Sequence, residues 1–452
     1  MPNRHINDRE KAPGSNSSSS STPGRRSPSP PSNTLQKPPT THLSGYLLPK
    51  WRKFIILFVV SWMALAVTFS STSLLPATPE IALEFDTTSE TLNITNAGML
   101  LAMGLSTLIW GPLNILIGRR FSYNIAVTVL VLCSALTAGS RSMGMFTACR
   151  ILGGFTGTSF MVSGQTMLAD IFEPEVRGTA VGFFMLGSVT GPAIGPCIGG
   201  VIVTFTRWRY IYWLQTAMVG FGLILSLVFV PEITLRYALE IFNPVRIFRL
   251  WLYPNVFFSF LTCGLLATYL YALLSSARTI FNPRSNLTSA LVSGLFYLAP
   301  GSGFLVSSLL GGRLSDIAVR RFIAQWGFRL PQDRLNSGLI MLSLEVGGLA
   351  VPIIAGFVGW VGLMGSFNGL NTYAAEALPS HRAEGKYIIQ YLFAAGASAL
   401  VVPLIERIGV GWTFTVSAFF TLTGAVLVLT IARWGINMQL WMERMVPVPG
   451  KL

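Results

Sequence analysis

The sequence predicts an all-α polytopic membrane protein, and three observations carry that prediction. Of 452 residues, 51% are hydrophobic and only 11% are charged, against about 25% charged in an ordinary soluble domain. The apolar residues gather into repeated runs near the ~20 residues that a spanning helix requires. Basic residues concentrate in short segments between those runs, as the positive-inside rule expects. A mean hydropathy of +0.57 needs lipid as solvent, which excludes a water-soluble enzyme.

Residues 1–50 are rich in Ser, Pro and Thr, with Ser17 to Ser21 and Arg26-Ser27-Pro28-Ser29-Pro30. They have too few large apolar side chains for a core and read as a disordered cytosolic tail. Ser27 and Ser29 are open either to a phosphorylation role or to a plain solvated one. No apolar stretch of signal-peptide type precedes the first run, so that run itself is expected to direct insertion. Apolar runs follow at about 53–77, 94–117, 122–140, 145–170, 178–204 and 209–231, so 51–232 reads as a six-helix bundle. A polar connection at 233–253, with Arg236, Arg246 and Arg249, reads as a cytosolic central loop. Further runs at about 254–281, 288–312, 346–375, 386–405 and 411–433 make a second bundle over 254–433, and 434–452 a cytosolic tail.

Loop charges orient this scheme. Lys50, Arg52 and Lys53 hold the amino-terminal side in the cytosol, Glu80, Glu84, Asp86 and Glu90 mark an external loop, and Arg119-Arg120 an internal one. Arg207 and Arg209 fall on the wrong side. The segment 313–334, with five arginines, and the loop carrying His381, Arg382 and Lys386 both read as cytosolic. An even number of crossings must separate them. Only one full run lies there, beside a stub from Gly338 to Leu344 followed by Glu345. Even nine helical residues span only about 14 Å, far short of the ~30 Å hydrocarbon core. The ninth helix is therefore expected to be truncated near 336–345, leaving about 11 full spans, or to form a shallow hairpin with the next run.

The net charge of +14 is absorbed by the tail and the cytosolic loops, so no nucleic-acid partner is expected. Cys133, Cys149, Cys197 and Cys263 have no clustered spacing, which points to neither a disulfide framework nor zinc. His5, His42 and His381 lie outside the apolar runs, so no histidine relay crosses the bilayer. No cofactor or metal is called for.

The strongest internal signal is a repeat at a constant offset of 201 residues. Gly111-Pro112-Leu113-Asn114-Ile115, ending in Arg119-Arg120, matches Gly312-Arg313-Leu314-Ser315-Asp316, ending in Arg320-Arg321. Parallel six-helix repeats are a transporter construction; the plainer reading is two basic pairs that merely hold their turns inside. A second motif runs Gly187-x-x-x-Gly191-Pro192-x-x-Gly195-Pro196-x-x-Gly199-Gly200. Glycines four apart drift only about 40° per step on a helix, forming one stripe, and the prolines bend it. Arg150, in Arg150-Ile151-Leu152-Gly153-Gly154, lies about five residues into an apolar run. It either faces a cavity or snorkels to the helix end.

These motifs resemble the major facilitator superfamily, and within it the fungal twelve-span drug:proton antiporters. The repeated segments are similar to the signature at the turn between helices 2 and 3 and its second-half counterpart. Ile115 occupies the position of the family's gate-locking acid, and Asp316 keeps it in the second half. The glycine stripe is similar to the family's antiporter motif, and Arg150 to its helix-4 arginine, which implies a role in proton coupling. Asp170 and Arg177 resemble the turn between helices 4 and 5, where gate pairing and simple loop charge both fit. Pro76 and Pro79, Trp208-Arg209, Pro231-Glu232 and Pro331-x-Asp333-Arg334-Leu335 are looser matches. The resemblance covers about residues 50–435 and implies two pseudo-symmetric six-helix bundles around a central cavity. In that order of helices the candidate substrate contacts are Ser163, Gln165, Tyr269, Asn368 and Asn371; interhelical hydrogen bonding is an equal reading of each.

The function so implied is proton-coupled export of amphiphilic small molecules by alternating access, by a chain that works as a monomer among membrane lipids. No G-x-x-x-x-G-K-[ST] loop is present to use ATP. The expected site is the plasma membrane, with the vacuolar membrane as the alternative. A nutrient or organic-acid facilitator of the same fold is a rival, as is a transport-incompetent chain lacking one helix. A membrane glycosyltransferase using Glu84 and Asp86 would need a large extramembrane acceptor domain, which no loop supplies. The sequons at Asn93 and Asn286 are expected in external loops close to the membrane.

Overall fold

The computed structural model describes residues 48–229, 248, 250–285, 289–298, 301–308, 317, 352–377 and 384–445. Helices in chain order are α1 (Lys50–Thr72), α2 (Thr78–Glu84), α3 (Ser89–Leu116), α4 (Arg119–Ala138), α5 (Met143–Ile171), α6 (Pro174–Phe205), α7 (Arg209–Phe229), α8 (Pro254–Ser285), α9 (Ala290–Phe296), α10 (Pro352–Ala377) and α11 (Glu384–Met445). Residues 301–308 are also helical. Among the described residues there is no strand, and seven helices are long and apolar enough to cross a membrane.

Local chemistry explains the boundaries. Thr88 caps α3 by accepting the Thr91 amide (3.2 Å), and Ser142 caps α5 through the Met145 amide (3.3 Å). Pro174 opens α6, where its missing N–H costs nothing. Gly118 enters α4 at φ 86°, a left-handed conformation that excludes most side chains. In α11 the backbone leaves the helical region at Gly409 (φ 82°, ψ 163°), so two arms meet there. The break separates the two apolar runs at 386–405 and 411–433. Helix continues from there to Met445, well past the second run.

Side-chain partition is that of a lipid-embedded bundle. Leu132, Phe221, Leu400 and Phe419 are exposed, while Ser106, Thr158, Ser159 and Ser163 are fully buried. Many helical hydroxyls return to their own backbone, as Ser134 does to the Leu130 carbonyl (2.7 Å) and Thr190 to Leu186 (2.6 Å). That satisfies them without water.

The first half packs as one bundle: α1 against α6 and α7, α3 against α5, and α4 against α5 and α7. In the second half α8 packs against α10 and both arms' helix α11, with Asn255 donating to the Tyr373 hydroxyl (3.0 Å). Two seams join the halves, α3 on α11 and α6 on α9. Glycine makes both close. Gly104 lies where a Cβ would sit 3.1 Å from Tyr391, and Gly301 and Gly294 abut the backbone of Ala193 and Pro196.

Two expectations change. Asn93 is in α3 rather than a loop, and Thr95 of that sequon is buried, donating to the Thr91 carbonyl (3.0 Å) and sharing a bond with Thr147. Arg209, misplaced by the charge rule, is neutralised where it stands. It pairs with Glu84, donates to the Ser140 carbonyl (2.6 Å) and lies over the Trp208 ring at 4.5 Å. Trp208 also donates to Glu84, and its ring meets Phe85, Phe146 and Tyr212 edge-on. Glu84→Gln is expected to cost under about 1 kcal/mol, because the pair is partly exposed. Trp208→Ala is expected to cost about 3–5 kcal/mol, because that ring is buried. Thermal unfolding in detergent would rank the two, and equal shifts would refute the ordering. The stub at 336–345 and the Asn286 sequon lie outside the described residues.

Candidate functional site: the cavity between the bundles and the buried arginine

A cavity lies between the two halves, lined by α1, α5 and α6 on one side and by α8, α10, α11 and Phe304 on the other. Its polar lining includes Thr68, Ser188, Asn371, Lys386, Tyr387 and Gln390, and its apolar lining Met161, Met185, Phe304, Met364 and Phe367. Phe304 stacks near Trp360, ring centroids 4.2 Å apart.

Lys386 is the residue that sequence reasoning missed. It reads as a cytosolic loop charge, yet it is 1% exposed, on the first turn of α11. Its Nζ donates to Asn371 Oδ1 and lies 4.1 Å from the centre of the Tyr387 ring. The only available signal was register: Lys386 lies four residues before Gln390 and Tyr387 four before Tyr391, so each pair shares a helix face.

Of the candidate substrate contacts, Asn371 lines the cavity and also donates to Met185 Sδ (3.6 Å) on α6 of the other half. Ser163 is elsewhere, accepting from Asn114 Nδ2 (3.3 Å) within the first bundle. Gln165 is buried with neither amide atom hydrogen-bonded among the described residues, and it does not line the cavity. Tyr269 faces α10 near Gly359, while Tyr271, two residues on, reaches the cavity. The side chain of Asn368 lies outside the described residues.

Arg150 is buried at 3% exposure rather than snorkelling. It donates to the Ser70 carbonyl (3.4 Å), Tyr212 Oη, Asn96 Oδ1 (2.9 Å) and Met99 Sδ (3.2 Å). The Phe146 and Tyr212 rings lie 5.8 and 5.7 Å from its guanidinium carbon. Its partners thus come from α1, α3 and α7. All are neutral, and no carboxylate pairs with Arg150 among the described residues. Beside it is a small pocket lined by Ser134, Thr137 and Gln215.

The glycine stripe serves two neighbours. A Cβ at Gly187, Gly191, Gly195 or Gly199 would come within 3.0 Å of α1 or the residue after it, at Ser61, Thr68, Thr72 and Ser73 respectively. Gly200 instead abuts Ala290 across the seam. Thr72 also donates to the Gly191 carbonyl (3.2 Å). Pro192 and Pro196 lie inside the unbroken α6, with Pro192 at the cavity wall.

At the turn between α3 and α4, Gly111 is buried and Arg120 donates to the Leu227 carbonyl (2.6 Å) near the end of α7. That contact satisfies an orphan carbonyl and places a cation at a helix C-terminus. Arg177 is half-buried in the first turn of α6, its amide bonded to the Glu173 carbonyl (2.9 Å). The side chains of Arg119 and Asp170 lie outside the described residues, as do Gly312, Asp316, Arg320 and Arg321.

Two half-bundles meeting over a cavity define a membrane transporter rather than an enzyme. A profile of the Major Facilitator Superfamily matches residues 60–400, and the chain belongs to that superfamily as a multi-pass membrane protein. It is 24% identical to the MFS-type transporter hepF of Aspergillus oryzae over 88% of this chain and 91% of that protein. It is 23% identical to the efflux pump radE of Floropilus chiversii over 87% and 80%, respectively. The MFS antiporter QDR3 of Candida albicans is 32% identical over 42% of this chain and 27% of its own length. Among solved structures, the human organic anion transporter MFSD10 (TETRAN) shares the fold at a TM-score of 0.64 and 16% identity, over 84% of this chain and all of that one.

Proposed function

We propose that the protein exports amphiphilic small molecules against proton entry by alternating access. The observation that carries this reading is the cavity, walled by both halves and largely apolar with a few convergent polar groups. Rocking about the seams α3–α11 and α6–α9 opens such a cavity to one side at a time. Direction and coupling rest on the glycine stripe, on Arg150 and on the similarity to fungal proteins named as efflux pumps and an antiporter. Arg120 at its helix end, with Gly111, Arg119, Asp170, Arg177, Gly312, Asp316, Arg320 and Arg321, makes up the gating set on the cytosolic face of this scheme. The plasma membrane is the proposed site and the monomer the working unit.

One observation favours an uncoupled facilitator instead: no carboxylate lines the cavity or pairs with Arg150 among the described residues. The two readings separate in yeast cells that express the full chain and are loaded with a fluorescein ester, which cellular esterases release as an amphiphilic fluorescent anion. A protonophore is expected to cut efflux at least about tenfold while ATP is held constant. Efflux that persists after the gradient collapses makes the protein a facilitator, and no efflux of any probe points to an incompetent chain.

A further inference from the structure

Among the described residues, the cavity holds a cation with no counter-charge. Lys386 is the only charged residue among its described lining, and its ammonium is met by two neutral groups, the Asn371 amide oxygen and the Tyr387 ring face. Both are ligands for a cation. An ammonium has three donors, and only one of them is used here in a hydrogen bond among the described residues. The Tyr387 hydroxyl beside it is 3% exposed as a residue and has no hydrogen-bond partner among the described residues. Two residues with unspent donors therefore line the cavity side by side in sequence, and a buried charge without a partner is costly. The rest of the lining is largely apolar, through Met161, Met185, Phe304 and Phe367. Methionine and phenylalanine accept varied apolar shapes without demanding hydrogen bonds.

We infer that Lys386, with the Tyr387 hydroxyl, receives the carboxylate of an amphiphilic anion whose apolar body lies among Met161, Met185, Phe304 and Phe367. The inference rests on the reading of this cavity as the substrate site and narrows its substrate class to organic acids. Asn371 is the positioning residue: it holds Lys386 on the cavity side, 15 residues distant in sequence. A cationic amphiphile would meet the ammonium and be repelled.

The test is binding, read without any gradient so that it is independent of coupling and direction. Full-length protein in lipid nanodiscs is dialysed to equilibrium against phenyl-, 1-naphthyl- and 9-anthrylacetate and against the matching primary amides, with empty nanodiscs correcting for partition. At least one acid is expected to bind about tenfold or more tightly than its amide, the margin of a charge-assisted contact. Lys386→Gln is expected to bring that ratio to near one, and Lys386→Arg to keep part of it. Amides binding as tightly as acids, or a Lys386→Gln protein that keeps the preference, would overturn the assignment while leaving the cavity as a substrate site. Binding of neither series overturns the substrate-site reading as well. If Lys386→Gln does not fold, the acid-to-amide ratio of the unaltered protein decides alone.

Discussion

Gly191→Val is expected to abolish transport and to lower the unfolding midpoint by several degrees. A Cβ at this position meets Thr68 Oγ1 and the Phe69 backbone nitrogen at under 3.0 Å. Backbone cannot rotate aside as a side chain can, so α6 must lift from α1. Overpacking costs typically about 1–3 kcal/mol, and a branched side chain against backbone belongs at the upper end. Lifting α6 also disturbs the cavity, because Pro192 and Met185 of the same helix line it. Gly220→Ala is the control. Nothing lies within 4 Å of a Cβ there, so replacement inside α7 is expected to be neutral, or stabilising by up to about 1 kcal/mol from helix propensity. A Gly191→Val protein that unfolds and transports like the original would show that the stripe does not set the α1–α6 contact.

Arg150→Lys is expected to leave a folded protein that transports at roughly a tenth to a hundredth of the original rate. The guanidinium reaches Ser70 on α1, Asn96 on α3 and Tyr212 on α7 at once. A lysine ammonium is a point charge on a flexible stem and cannot hold that planar arrangement. Each lost bond to a charged group is worth about 1.5–3 kcal/mol, which gives the stated range for one such loss. Tyr212→Phe removes a single partner of Arg150 and is expected to fall in the same range. Efflux rates set against expression-corrected protein levels would check both. If lysine supports the full rate, charge alone suffices and the three-helix tie has no part in transport.

Much of the fold was legible because its cause is local. A run of apolar residues long enough to cross hydrocarbon becomes a helix wherever it is placed, so α1 and α3 to α8 begin and end within a few residues of the runs. The glycine stripe announced a close helix contact, since its spacing keeps one face bare. Its partner was not legible: that Gly187 to Gly199 serve α1 while Gly200 serves the seam depends on how helices pack. The superfamily likewise showed in motifs of a few residues, well before any contact was known.

Side-chain fate at helix ends was decided only in three dimensions. Hydropathy treats a lysine beside a polar loop as a loop charge, yet Lys386 lies inward over the ring of its neighbour Tyr387 and on Asn371, 15 residues away, which α10 brings to it. Arg209 is the converse, a charge on the wrong side by rule that is settled by Glu84, 125 residues away. The candidate contacts divided on the same ground, Asn371 reaching the cavity and Ser163 an interhelical bond with Asn114. The sequence by itself determined the solvent, the helices and the superfamily, because hydrophobic length and small-residue spacing act along one chain segment. The tertiary structure alone decided which polar groups share the cavity, because desolvation and pairing depend on what other helices bring within a few ångströms.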